Sequence, residues 1–217
     1  MPRTSLIRSR HLPYHVVARS NNRQWFLLHK TDLWKIFTRL LETVADTYGA
    51  RVHAFVLMSN HIHLVLSTPD GNIDSVMQYL LRETTKTINR FSGTINHLFG
   101  GPYKWSLISD GFQFGCVIKY VFRNPVKAGI CRQVEQYPWS TISEFLSKRG
   151  EECRFSKPCT LKCLEISSER TETEVLEWLN TPYSEGEDDC MRRALRRKVF
   201  QWKPDRVTRK LPPLFTK

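Results

Sequence analysis

The chain lacks any long apolar run: its purest stretches are Ala54 to Met58 and Leu64 to Leu66, far short of the ~20 residues that span a bilayer. The N-terminal arm carries Arg3, Arg8 and Arg10 and no acid, but no apolar segment follows it. Neither a signal peptide nor a membrane span is therefore expected, and the expected location is the cytoplasm, at the nucleoid when bound to DNA. Paired cysteine motifs are missing as well. The six cysteines, Cys116, Cys131, Cys153, Cys159, Cys163 and Cys190, form no C-x2-C repeat and have no histidine close by, so they are read as reduced thiols. Acid is in short supply: 21 Asp and Glu stand against 33 Lys and Arg, a net charge of +12. Such an excess calls for a polyanionic partner, nucleic acid first, because cations that neutralise phosphates release the counterions condensed on them.

What remains is the composition of an ordinary globular protein, 41% hydrophobic and 25% charged over 217 residues, enough for one domain with an appendage. Charge divides the chain. Residues 1–150 hold 19 Lys and Arg against 9 Asp and Glu, residues 151–190 hold 4 against 11, and residues 191–217 hold 10 against 1.

Tyr14 to Arg19 reads as a first strand ended by Ser20-Asn-Asn22. Thr31 is placed to cap a helix running to about Tyr48, with Leu33, Phe37, Leu40, Leu41 and Val44 at helical spacing and Gly49 as its stop. Arg51 to Met58 and His61 to Ser67 read as a hairpin of antiparallel strands. A second helix is expected from Ile73 to Phe91, a fourth strand over Tyr103 to Ile108, and a third helix from Gly111 to Arg123 closed by Asn124-Pro125. The order βαββαβ plus a helix describes an α+β fold with a ferredoxin-like or RRM-like antiparallel sheet, helices on one face and the other face free for substrate.

The chain is organised around Met58-Ser-Asn-His-Ile-His-Leu-Val-Leu66. Strand side chains alternate, so His61 and His63 share a face and can converge on one metal ion. Alone, a His-x-His on an amphipathic strand reads more readily as two solvated histidines. Tyr120 and Asn124 lie four apart on one helical face, where a phenolate nucleophile and a hard oxygen ligand can serve a Mg2+ or Mn2+ site beside two imidazoles. On spacing alone a buried tyrosine and a helix-ending asparagine explain the pair better. Arg82, Lys86 and Arg90 form a cationic ridge suited to a phosphate backbone or, equally, to solvent.

Taken in order, Tyr14-His-Val-Val-Ala-Arg19, the Met58 to Leu66 segment, Lys119-Tyr-Val-Phe-Arg-Asn-Pro-Val-Lys-Ala-Gly129 and Val134-Glu-Gln-Tyr-Pro-Trp-Ser-Thr141 resemble the IS200-like transposases with one catalytic tyrosine, in the HUH endonuclease superfamily, and especially the REP-associated tyrosine transposases. The resemblance covers about residues 10–145. Ser59 stands where many relatives have proline, and Pro102 to Ile108 lacks the Gly-Arg-Tyr form common before the tyrosine helix. The resemblance implies that His61, His63 and Asn124 bind a divalent cation and that Tyr120 is the nucleophile. It implies metal-dependent cleavage and rejoining of single-stranded DNA near hairpins through a 5′-phosphotyrosine, by a monomer or homodimer with no membrane association. The alternative is a domesticated, non-catalytic nucleic-acid binder on an RRM-like sheet.

Residues 151–217 lie outside the resemblance and are expected to form a helical, C-terminally basic extension beyond a catalytic domain of residues 1–150. A helix is expected over Ser168 to Asn180 and a second over Glu187 to Trp202, its stripe Met191, Leu195, Val199 and Trp202 docking on the domain while Arg192, Arg193, Arg196 and Arg197 face DNA.

Overall fold

Four strands, β1 (Tyr14–Arg19), β2 (Arg51–Leu57), β3 (His61–Ser67) and β4 (Lys104–Leu107), pair antiparallel in the order β2-β3-β1-β4. This computed structural model describes residues 6–109, 111–142, 171–204 and 208–212. The sheet is the ferredoxin-like one expected from the element order, and the chain is an α+β protein. Its pleat sorts the side chains: Tyr14, Val16, Ala18, Ile62, Leu64 and Leu66 enter one core, whereas His15, His63 and Val65 point to the opposite face. A bulge between Val52 and Ala54 lets β2 feed both cores, with Val52 and Phe55 on the first side and Ala54 and Val56 on the second.

Helices α1 (Lys30–Tyr48) and α2 (Ile73–Ser92) cover the first face through the apolar stripes read from the sequence. The cap of α1 is His29, whose Nδ1 accepts from the Thr31 amide, and not Thr31 itself, which lies inside the first turn. Gly49 ends the helix with a φ of 62°, a left-handed geometry that a side chain would strain. In α2, Phe91 is exposed instead of turned inward, because the core beneath the stripe ends at Ile88.

The second face, expected to be free, is covered. Helix α3 (Gly111–Phe122) crosses it, followed by a single helical turn, α4 (Asn124–Lys127), in which Pro125 takes a starting position where its missing N–H costs nothing. Burial runs through Phe114 to Lys119 and on to Val121 and Phe122, which is nearly all round the helix, because α3 is sandwiched between the sheet and two helices of the C-terminal extension. Those helices, α5 (Glu172–Asn180) and α6 (Glu185–Ala194), begin at capping boxes made by Thr171 with Glu174 and Ser184 with Glu187. Residues 143–170, where the catalytic domain and the extension were expected to meet, lie outside the described residues. Even so, Val175, Leu179, Cys190, Met191 and Ala194 join the same core as Val56, Val65 and Phe122.

Helix α6 is shorter than expected. It stops at Ala194, and the chain then runs beside β4: the Leu107 amide donates to the Lys198 carbonyl at 2.8 Å and the Phe200 amide to the Leu107 carbonyl at 2.7 Å. Val199 and Trp202 therefore leave the helical stripe, and Phe200 is the residue that is buried. At the other side of the sheet, the Leu57 amide donates to the Trp139 carbonyl at 3.0 Å and Val56 bridges to Ser140.

Candidate active site

Register brings the site together. Arg19 lies opposite His61 and Val17 opposite His63 across the β1–β3 pair, so β1 supplies its own odd-numbered residues to the face that carries the two histidines. The His61 and His63 rings meet edge to face at 5.0 Å between centroids. His15, the second residue of β1, stacks on His63 at 5.3 Å, with its Nε2 3.1 Å from the His63 Nδ1. His15 was not singled out in the sequence: strand alternation gives its face only once the register against β3 is known.

Tyr120 reaches this cluster from α3. Its ring stands edge-on at 6.2 Å from His63 and 6.3 Å from His15. Its neighbour Lys119 points the other way, about a quarter-turn around the helix, into an aromatic box where Nζ lies 5.1 Å from the Trp178 ring centroid and 5.0 Å from that of Tyr183. Burial lowers this ammonium to about 8. The segment that follows the tyrosine helix is also bound to the extension: the Arg123 guanidinium donates to the last carbonyls of α5, Leu179 and Asn180, and Lys127 of α4 pairs with Asp188 of α6. Asn124, one turn beyond Tyr120, donates from Nδ2 to the Tyr120 carbonyl at 2.8 Å, so its carboxamide is held against the end of α3.

The electrostatics follow from burial. Desolvation depresses His15 to about 3 and His61 to about 4, and holds His63 well below its ordinary value with help from its neighbours. All three rings are neutral at pH 7, and a neutral imidazole is the form that binds metal. The Tyr120 phenol is pushed up by burial, while Arg192, Arg196 and Arg19 pull it down. Arg192 of α6 and Arg196 just beyond it thus act on the tyrosine from the extension. Both are exposed, as is Arg197, which donates to Gln201. Arg193, expected with them to face DNA, is turned inward instead: its side chain is 10% exposed and committed to Asp189 and the Pro204 carbonyl.

Two adjoining cavities share Asn21, Gly100 and Gly101, and the smaller reaches Val17 and Arg19 of β1. One, about 370 Å³, is lined by Arg19, Arg23 and Lys104, and the other, about 590 Å³, by Arg82, Lys86 and Phe99, with no acid lining either. Gly100 lets the two backbones approach closely here, since a Cβ there would lie 3.2 Å from the Asn21 Cα. Arg82, Lys86 and Arg90 are exposed as expected, although Arg82 and Lys86 both pair with Glu83 at 2.8 and 3.1 Å.

His61, His63 and Asn124 suit a hard divalent cation by donor type, the histidines by neutrality as well. Among the described residues no group of three His, Cys, Asp or Glu side chains is placed to hold a metal, so the carboxamide and non-protein oxygens would complete the shell. Among the same residues no helix is long and apolar enough to cross a membrane.

Comparison with known proteins places the fold and the family. Residues 8–124 match the family described as Transposase IS200 like. A REP-associated tyrosine transposase of Escherichia coli (strain K12) is 28% identical over 92 residues, 42% of this chain and 53% of the relative, so the chain spans about half the length of the curated relative it matches. A solved structure of a REP-associated tyrosine transposase bound to a REP hairpin superposes with a TM-score of 0.57 at 20% identity, over 69% of this chain and 87% of that one. At that identity the likeness is one of fold.

Proposed function

Because the chain belongs to the IS200-like transposase family, we propose that it cleaves and rejoins single-stranded DNA beside a hairpin, through a covalent link between Tyr120 and the 5′ end of the cut strand. The observation that carries the reading is the convergence of Tyr120 from α3 on the His61–His63 face of the sheet. In the first step the Tyr120 Oη attacks the scissile phosphorus and loses its proton as the new P–O bond forms. The bond to the 3′ oxygen breaks, and that oxygen takes a proton and leaves as a hydroxyl. Rejoining is the reverse displacement by a 3′ hydroxyl, so the phosphodiester energy is conserved in the phosphotyrosine. His61, His63 and Asn124 would hold a Mg2+ or Mn2+ ion, which when bound would supply positive charge to polarise the phosphate. Arg19, Arg192 and Arg196 favour loss of the phenol proton, which leaves Oη in its attacking form. The acid-free cavities beside β1 suit the backbone of the strand entering the site, with Arg82 and Lys86 further along it.

The relative bound to a REP hairpin supports hairpin DNA as the substrate class, and we place the work of this chain in the cytoplasm. The test is covalent capture. With Mn2+ and a hairpin-flanked single strand, the protein should become attached to DNA, and Tyr120→Phe should bind DNA but form no adduct. An adduct in the Phe variant would exclude Tyr120, and full cleavage in EDTA would exclude the cation.

A further inference from the structure

We propose that Asn60 and His15 are positioning residues that hold His61 and His63 as Nδ1–H tautomers, so that both present a bare Nε2 to one cation. The proposal rests on the cation reading given above. Asn60 decides the first ring through a chain of donors and acceptors in which each choice forces the next. One end of its carboxamide lies 2.8 Å from the Arg23 carbonyl oxygen, which can only accept, so that end is Nδ2. The other end is therefore Oδ1, and it lies 2.7 Å from the His61 Nδ1. An amide oxygen can only accept too, so the His61 Nδ1 must carry hydrogen. With Nδ1 carrying the hydrogen, Nε2 is the one ring nitrogen that can offer a lone pair to a cation.

The other end of this chain lies in an unusual turn. Asn22 and Arg23 both have left-handed backbone, with φ of 51° and 58°, although neither is glycine. Backbone bonds hold the two loops together on either side: the Ser20 amide donates to the Asn60 carbonyl and the Phe26 amide to the Ser59 carbonyl, each at 2.9 Å. The turn thus presents the Arg23 carbonyl to Asn60, which gives the two strained residues a purpose that their own contacts do not.

His15 plays the matching part for His63. Of the two ways to place one hydrogen between the His15 Nε2 and the His63 Nδ1, only donation by His63 leaves its own Nε2 bare for the cation. His15 is 3% exposed and fixed in β1 between its two neighbouring strands, so it holds that ring from beneath, as Asn60 holds its neighbour from the rim.

Long-range 1H–15N correlation spectra of the 15N-labelled full chain at pH 7, without metal, read the tautomers directly. Nδ1 should be the protonated nitrogen of both His61 and His63, and a protonated Nε2 on either ring overturns the proposal for its partner. Titration with Mn2+ then reads the consequence. Asn60→Ala should weaken Mn2+ binding about 10- to 100-fold, whereas Asn60→Asp, which still accepts from Nδ1, should recover most of it. Equal affinity in wild type and Asn60→Ala would show that Asn60 shapes only the loop and overturns its positioning role. A wild-type protein that binds no Mn2+ refutes the cation reading instead, and the metal-free spectrum still judges the tautomers by themselves.

Discussion

Acid should unfold this protein earlier than its carboxylates would, because the sheet buries histidines that must stay neutral. His15 is 3% exposed and its folded value is about 3, against an ordinary 6.5 in the unfolded chain. Between those values the unfolded state binds a proton that the folded state refuses, so stability falls as pH falls through the window. From pH 7.5 to pH 5 this amounts to about 2 kcal/mol for His15 alone, at 1.36 kcal/mol per pH unit below about 6.5. His63, 5% exposed and shifted in the same direction, adds to the loss. Asp and Glu barely titrate above pH 5, so the buried histidines dominate the change, with the less deeply buried His61, depressed to about 4, contributing in the same direction. The assay is urea denaturation of the metal-free chain at half-unit steps from pH 7.5 to 5, in wild type and in His15→Gln. The wild type should lose at least 2 kcal/mol and the variant distinctly less. Stability that stays level to pH 5, or an equal slope in the two proteins, would refute the claim that burial keeps these rings neutral. Bound Mn2+ should deepen the dependence, since ligation needs the same unprotonated rings.

The remaining predictions concern the extension and the cationic ridge. Phe200→Ala removes a ring that is 1% exposed and meets Trp202 edge to face at 4.6 Å, and it should cost about 3–5 kcal/mol. An unchanged urea midpoint would mean that the segment after α6 is not part of the core. For the same reason, truncation near Asp189 should impair folding and not merely DNA affinity, because Cys190, Met191 and Ala194 are buried beyond that point; a truncated chain with wild-type stability would refute this. Arg82→Gln combined with Lys86→Gln should flatten the slope of log K for hairpin DNA against log salt by about two, one for each lost phosphate contact. An unaltered slope would show that these cations serve only Glu83.

The parts of the fold that depend on local chemistry were legible in the sequence. β1 and β3 run over the residues read from alternation, and α1 stops at Gly49 as expected. The site was legible in pieces: His61, His63 and Tyr120 meet, but His15 and Asn60 were passed over because their roles depend on a cross-strand register and on a loop 37 residues away. The covered second face was misjudged although α3 held the warning, since Phe114 through Phe122 is apolar on nearly every side and such a helix has no face to give to water. Nor could helical periodicity show where α6 would end. Past Ala194 the chain leaves the helix and hydrogen-bonds to β4, a partner more than 80 residues earlier.

That exchange has a bearing on how copies of the chain can associate. An outer strand with unpaired amides and carbonyls is an invitation to a second molecule, and the commonest way for small sheets to aggregate or join is along such a border. Here one border is met by Lys198 to Phe200 and the other by Trp139 and Ser140, both from the same chain. Continuous pairing between two copies would first have to displace one of these segments. Displacing the β4 cover would also lift Phe200 from the core and loosen the extension that sets Arg192 and Arg196 beside Tyr120. Self-association through the sheet and an intact tyrosine site would therefore compete within one molecule.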